Sequence, residues 1–242
     1  MAKIVIISDL HLASDVCRSE MILKFLNEYK FKTNDMLVLN GDVMDNLNFK
    51  RLSKGHWKVL KRIRSLSKWL KVVWIKGNHD TDDAEIIANL IGVEFRNELP
   101  IAMGDKNVLI THGDKFDFFM KGQQITAKVA DFFYKIIQCY DKWVKNDYYF
   151  SSLVKTKSKV LIRCGRVIEN AITYAMHNNI DVIICGHTHL PDRLTNSSKS
   201  VEYYNSGSWC NKDHDCHYIT IENNEVELHV FGDIVQRSLE NN

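Results

Sequence analysis

The chain has 242 residues with 45% hydrophobic and 26% charged side chains, a balance that excludes a disordered chain and allows a sizeable core. The formal net charge is only +2, and no apolar run approaches the roughly 20 residues of a membrane span. With just two prolines and no linker, low-complexity tract or internal repeat, residues 1–242 are expected to form a single domain.

The first apolar run, Ile4–Ile7, is β-branched and too short for a helix. It stops at Ser8-Asp9 without a small-residue cleavage site, so it reads as a buried strand and not a signal peptide, and the protein as cytoplasmic. Ser19 to Lys30 has a helical pattern, Met36–Leu39 is a second strand, Gly55 to Leu70 a second helix and Val72–Ile75 a third strand. No acidic residue stands between Asn46 and His79, whereas Lys50, Arg51, Lys54, Lys58, Lys61, Arg62, Arg64, Lys68, Lys71 and Lys76 all do. This excess predicts an anionic partner: a phosphorylated substrate, an anionic membrane surface or nucleic acid. The same helix carries Trp57, Leu60, Ile63 and Trp69 on another face and matches no nucleic-acid module, so nucleic acid is the least favoured of the three.

Val108–Ile110 continues the alternation of strand and helix, which predicts a largely parallel sheet. From Phe116 to His177 the pattern is helical and rich in aromatics, and it reads as a helical insertion over about 116–177. Strands resume at Val182–Cys185, and Val201–Tyr204, His217–Ile221 and Glu225–Phe231 look antiparallel, with Asn223-Asn224 as a hairpin turn. The order predicts an α/β sandwich of two sheets. Six cysteines, at positions 17, 139, 164, 185, 210 and 216, include no Cys-x-x-Cys pair and read as reduced thiols. Cys210, His214, Cys216 and His217 have the residue types of a small zinc site but an irregular spacing, so a turn followed by a strand is the favoured reading.

Five motifs follow these strands in order: Asp9-Leu10-His11, Gly41-Asp42-x-x-Asp45, Gly77-Asn78-His79-Asp80, His112-Gly113-Asp114 and Gly186-His187-Thr188-His189. Loops at the carboxyl ends of strands share one sheet edge, so the five are expected to converge although they span about 180 residues. Imidazole, carboxylate and amide oxygen without thiolate suit Mn²⁺, Fe²⁺, Zn²⁺ or Co²⁺. One carboxylate, Asp42, can bridge two ions at roughly 3.5–4 Å, the separation used in two-metal hydrolysis. Such a pair activates a bridging water as hydroxide for in-line attack on phosphorus.

The set resembles the calcineurin-like metallophosphoesterase superfamily, whose pattern is D-x-H, G-D-x-x-D, G-N-H-D/E, a later H and G-H-x-H. The resemblance implies a four-layer αββα sandwich and a site for two divalent metals, manganese first. It places Asp9, His11, Asp42 and His189 on one metal and Asp42, Asn78, His112 and His187 on the other. His79 would be the general acid or transition-state donor, oriented by Asp80, while Asp45 steadies its own loop.

Further stretches resemble the branch that hydrolyses UDP-2,3-diacylglucosamine to UMP and 2,3-diacylglucosamine 1-phosphate in lipid A synthesis. They are Ser8-Asp9-Leu10-His11-Leu12, the basic helix, His112-Gly113-Asp114-Lys115-Phe116-Asp117, the insertion, Gly186-His187-Thr188-His189-Leu190-Pro191 and Asn205-Ser206-Gly207-Ser208-Trp209. That likeness implies a phosphorylated lipid or small-molecule substrate. Lys155, Lys157 and Lys159 would meet its phosphates, the insertion's aromatics its acyl chains, and the protein would sit peripherally at the inner face of the membrane. The chain departs from the branch at Ala13, at Ser208 and from Cys210 to His214. A nucleotide or phosphoprotein phosphoesterase is the alternative, and a non-catalytic scaffold would have lost ligands that are all present here.

Overall fold

The computed structural model describes residues 2–117, 150–195, 201–210 and 215–232, the side chains of 150–163 and 195 excepted. Six strands form one sheet: β1 (Ile4–Ile7), β2 (Met36–Asn40), β3 (Lys71–Ile75), β4 (Glu94–Arg96), β10 (Cys216–Glu222) and β11 (Glu225–Phe231), in the order β11-β10-β1-β2-β3-β4. Five form the other: β5 (Glu98–Met103), β6 (Lys106–Thr111), β7 (Val182–Cys185), β8 (Pro191–Thr195) and β9 (Glu202–Ser206), in the order β5-β6-β7-β9-β8. Helices α1 (Ser19–Glu28), α2 (Lys54–Leu66), α3 (Ala84–Leu90) and α4 (Phe150–His177), with short 3-10 turns at Phe49–Arg51 and Asp114–Asp117, complete the described elements.

Side-chain alternation builds the layers. In β1, Val5 and Ile7 pack with Ile22 and Phe25 of α1 and Val59, Leu60 and Ile63 of α2, while Ile6 points the other way. Leu37/Leu39 against Val38, and Val72/Trp74 against Val73/Ile75, repeat the pattern. The inward set meets Val108, Ile110, Val182, Ile184 and Tyr204 of the second sheet. The alternate residues of that sheet, Leu109, Ile183, Cys185 and Tyr203, face Val167, Ala171, Ile172 and Ala175 of α4. A period of two in strands buried on both faces thus gives helix, sheet, sheet, helix, the αββα sandwich. Each aliphatic side chain so buried contributes about 1.5–3 kcal/mol of transfer free energy.

Two details differ from the sequence expectations. The expected strand at Val201–Tyr204 does not join β10 and β11: as β9 it runs parallel to β7, and its antiparallel neighbour is β8. The helical insertion expected over 116–177 ends in a layer of the sandwich itself, because α4 from Cys164 onward packs on the second sheet. The aromatics from Phe118 to Tyr149 lie outside the described residues. The Asn223-Asn224 turn is present, both residues having positive φ (53° and 63°), the signature of a type I′ hairpin. Among the described residues no helix is long and apolar enough to cross a membrane.

Candidate metal centre

The strand ends deliver the motifs to one edge. Past β1 and β2 the two loops stay zipped: Asp9 N donates to Gly41 O (3.0 Å), His11 N to Asp42 O (2.9 Å) and Leu12 N to Val43 O (2.9 Å). Asp9, His11, Asp42, His187 and His189 all hold positive φ, between 46° and 63°. Non-glycine residues there cost of order 1–3 kcal/mol each, strain that persists only where the surroundings impose it. Gly77 is required by close approach, since a Cβ there would stand 2.2 Å from Asp42 Oδ1.

Two clusters of ligand atoms share Asp42. On one side His11 Nε2 lies 3.8 Å from Asp42 Oδ2 and 4.0 Å from Asp9 Oδ1, and His189 Nε2 lies 3.1 Å from Asp9 Oδ1. On the other, His112 Nε2 lies 3.3 Å from the same Asp42 Oδ2, and Asp42, His112 and His187 offer ligand atoms within 4.8 Å of one another. Asn78 is exposed beside them, in an open cleft of about 470 Å³ also lined by Lys76, Thr81, Asn97 and Lys115. Lys76 pairs with Asp82 and Lys115 with Glu98 there.

The donors fit metal ions. Asp9 Oδ1 and His112 Nε2 are buried with no hydrogen-bond partner, an arrangement that is costly unless a cation meets them. The His112 Nδ1 proton goes to Asn40 O at 2.9 Å, which leaves Nε2 as the lone-pair nitrogen. Without metal, burial pulls the His112 pKa down, but the Asp42 carboxylate 3.3 Å from Nε2 and the nearby Asp9 charge more than offset it and push it up to about 9. His189 is likewise lifted to about 10, against burial, by Asp9 and by Cys210. Burial pushes the Asp42 carboxyl up, yet the His112 imidazole holds it well below the usual carboxylate range.

The other expected residues fall as follows. His79 is exposed at the rim; its backbone N donates to Asp42 Oδ1 (2.8 Å), and its Nδ1 lies 3.2 Å from Asp45 O. Asp45 Oδ1 lies 3.4 Å from His11 Nδ1, so Asp45 steadies a ligand as well as its loop. Asp80 bears on His79 through the loop they share, with no described contact to the ring. Its carboxylate is buried and accepts from Trp74 Nε1 (2.9 Å), Gly77 N (3.0 Å) and Met44 N (3.1 Å), tying the Asn78 loop to the Asp42 loop. Asp80→Ala should therefore act on stability. Leaving these donors unpaired costs about 1–3 kcal/mol each, and a loss of about 3 kcal/mol lowers Tm by roughly 6–12 °C in a chain of this size, which calorimetry would read.

Lys155, Lys157 and Lys159 lie on α4 where side chains are outside the described residues. The zinc reading of Cys210, His214, Cys216 and His217 gains no support: His214 is outside the described residues, His217 Nδ1 meets Asp215 O, and Cys210 groups with His11 and His189. No disulfide joins any of the five described cysteines.

Two residues were not assigned from sequence. Asp117 Oδ2 lies 2.7 Å from His187 Nε2, an outer partner separated by 70 positions, and Cys210 Sγ lies 3.6 Å from His189 Nδ1. The Asn205 to Trp209 segment is a buttress: Asn205 Nδ2 donates to Gly186 O, Ser8 Oγ to Gly207 O and Trp209 N to Asp9 O.

A family model described as calcineurin-like phosphoesterase matches residues 2–191. No curated protein matches the sequence. A dimetal phosphatase from Danio rerio is similar in structure, with 13% identity, TM-score 0.53 and 96% of each chain covered. A conserved, predicted phosphoesterase from Streptococcus pneumoniae shows 17% identity and TM-score 0.44 over 96% of this chain and 90% of its own. Vacuolar protein sorting 29 from Cryptosporidium parvum shows 12% identity and TM-score 0.47 over 95% of this chain and 96% of its own. At such identities the likeness to the first is one of fold.

Proposed function

The chain belongs to the calcineurin-like phosphoesterase family, and from that premise we propose that this metal-dependent phosphoester hydrolase acts on a lipid-borne pyrophosphate, UDP-2,3-diacylglucosamine, releasing UMP. Asp9, His11, Asp42 and His189 would hold one divalent ion and Asp42, Asn78, His112 and His187 the other, with manganese first among the candidates. Bound there, the pair lowers the pKa of a coordinated water and neutralises charge on the phosphoryl oxygens.

The remaining chemistry belongs to the chain. The Nδ1 proton of His79 goes to Asp45 O, so Nε2 is the nitrogen left for the departing oxygen, and it is the imidazolium form of the ring that carries a proton there to give. Asp45 and Asp117 keep the His11 and His187 rings turned into the site, and Asp80 holds the loop that carries Asn78 and His79.

The observation that favours a lipid substrate is the outer face of α2. His56, Val59, Leu60, Ile63 and Leu66 are buried, so Lys54, Trp57, Lys58, Lys61, Arg64 and, just beyond the helix, Lys68 form the exposed stripe. Trp57 is 52% exposed and Trp69 43%. Aromatics among cations suit the interface of an anionic bilayer. The helix also starts beside the site, since His56 Nδ1 accepts from Ala13 N at 3.3 Å. This reading makes the protein cytoplasmic and peripheral at the inner face of the membrane.

The test is incubation with UDP-2,3-diacylglucosamine and Mn²⁺. Metal-dependent UMP release, lost on chelation, is expected. Hydrolysis of bis-p-nitrophenyl phosphate without UMP release would keep the hydrolase and exclude the lipid substrate, leaving nucleotide or phosphoprotein esters.

A further inference from the structure

His189 Nε2 faces Asp9 Oδ1 at 3.1 Å and His11 Nε2 at 3.3 Å, so this nitrogen belongs to the metal cluster. A ligating imidazole binds through a lone pair, which leaves its proton on the other nitrogen, where it needs an acceptor. For His112 that acceptor is the Asn40 carbonyl. For His189 the described residues supply a thiol: Cys210 Sγ, 3.6 Å from Nδ1 on a residue 5% exposed.

The sulfur is itself held in place. Trp209 N donates to Asp9 O (3.1 Å), Arg18 N donates to Trp209 O (3.1 Å), and Ser208 Oγ donates to Cys210 O (3.3 Å). Cys210 also forms an antiparallel bridge with Cys17. The Arg18–Trp209 bond flanks that bridge, so the pair occupies a non-hydrogen-bonded position, where side chains stand closest. Cys210 is thus fixed to the Asp9 loop by its neighbour and to the segment before α1 by its bridge with Cys17.

We propose that Cys210 is a positioning residue: its sulfur accepts the Nδ1 proton of His189 and fixes the tautomer that presents Nε2 to one metal. The inference rests on the metal-centre reading above. It assigns to Cys210 control of the His189 site and not of the site built on His112 and His187, whose rings are held by Asn40 and Asp117.

The experiment is titration of the metal-free protein with Co²⁺, read by calorimetry and by absorption, for wild type, Cys210→Val and Cys210→Ser. Two equivalents should bind to wild type. In Cys210→Val one of the two should weaken by roughly 10–100-fold, the usual effect of losing an outer partner of a ligating histidine. Cys210→Ser, whose oxygen can accept the proton, should recover part of that loss, which a purely packing role would not predict. Wild-type affinity at both sites in a folded Cys210→Val protein would overturn the proposal. So would a sulfur-to-cobalt charge-transfer band in wild type that Cys210→Ser removes, because Cys210 would then be a ligand. Absence of metal binding by wild type itself would instead remove the metal-centre reading on which the inference stands.

Discussion

Replacing His79 by Ala should lower kcat by roughly 10²–10⁴-fold, the usual contribution of a positioned general acid, while both metals stay bound. The separation follows from which His79 atoms make which contacts. The bond that ties this loop to the bridging carboxylate is made by the backbone N of His79 to Asp42 Oδ1, and Ala keeps it. The ring contributes an edge contact with His11, at 4.9 Å between centroids, and the contact to Asp45 O. Loss of the ring therefore removes the proton donor and leaves Asp9, His11, Asp42, His112, His187 and His189 as they were. A ring nitrogen of His79 also stands within 4.8 Å of the His11 and Asp42 ligand atoms, so loss of a metal from the variant would identify His79 as a ligand. Metal content by elemental analysis and single-turnover rates would be compared with wild type. A rate within a few-fold of wild type, with metals retained, would show that the leaving oxygen takes its proton elsewhere.

The convergence of the ligands was legible in sequence because its causes are local. Ile4–Ile7, Met36–Leu39, Val72–Ile75, Val108–Ile110 and Val182–Cys185 are β-branched, apolar and short, and each leads within a few residues to polar ligands. The elements that escaped notice lack that signature. β4 is Glu94-Phe95-Arg96, three residues with charges at both ends. β5 contains Pro100 and β8 begins with Pro191. Proline argues against a strand in the middle of a sheet, but these two are the edge strands of their sheet, where the missing N–H is tolerated.

The partners of the ligands were hidden for a different reason. Asp117 reaches His187 across 70 positions and Cys210 reaches His189 across 21, and no periodicity announces such contacts. The partners of Asp80 were equally hidden: it adjoins His79, and its carboxylate turns inward to Trp74, Gly77 and Met44. Cys210 was visible as a metal-compatible residue but was grouped with its neighbours in sequence, when its partners in space are His11 and His189.

Metal loading should tighten steeply as pH rises. In the metal-free protein Asp42 and Asp9, acting against burial, push His112 up to about 9, and Asp9 and Cys210 push His189 up to about 10. Both rings are then cationic at neutral pH, and each incoming ion must displace the proton of the ring in its own ligand set, because only the neutral imidazole ligates. Between pH 7 and 9 the apparent association constant of each ion should rise by up to about tenfold per pH unit, one proton for each ion, with the dependence flattening above pH 10. The sign is opposite for the metal-free fold. Two histidines whose folded pKa values are raised contribute stability that is complete below the unfolded value of about 6.5 and lost as pH rises through 9 to 10. Low pH therefore protects the empty site with Asp–His ion pairs, and high pH favours the metals that replace them. Calorimetry in buffers of different ionisation enthalpy would count the protons: release of about two per loaded protein at pH 7 is expected, and release of none would show that the histidines are already neutral.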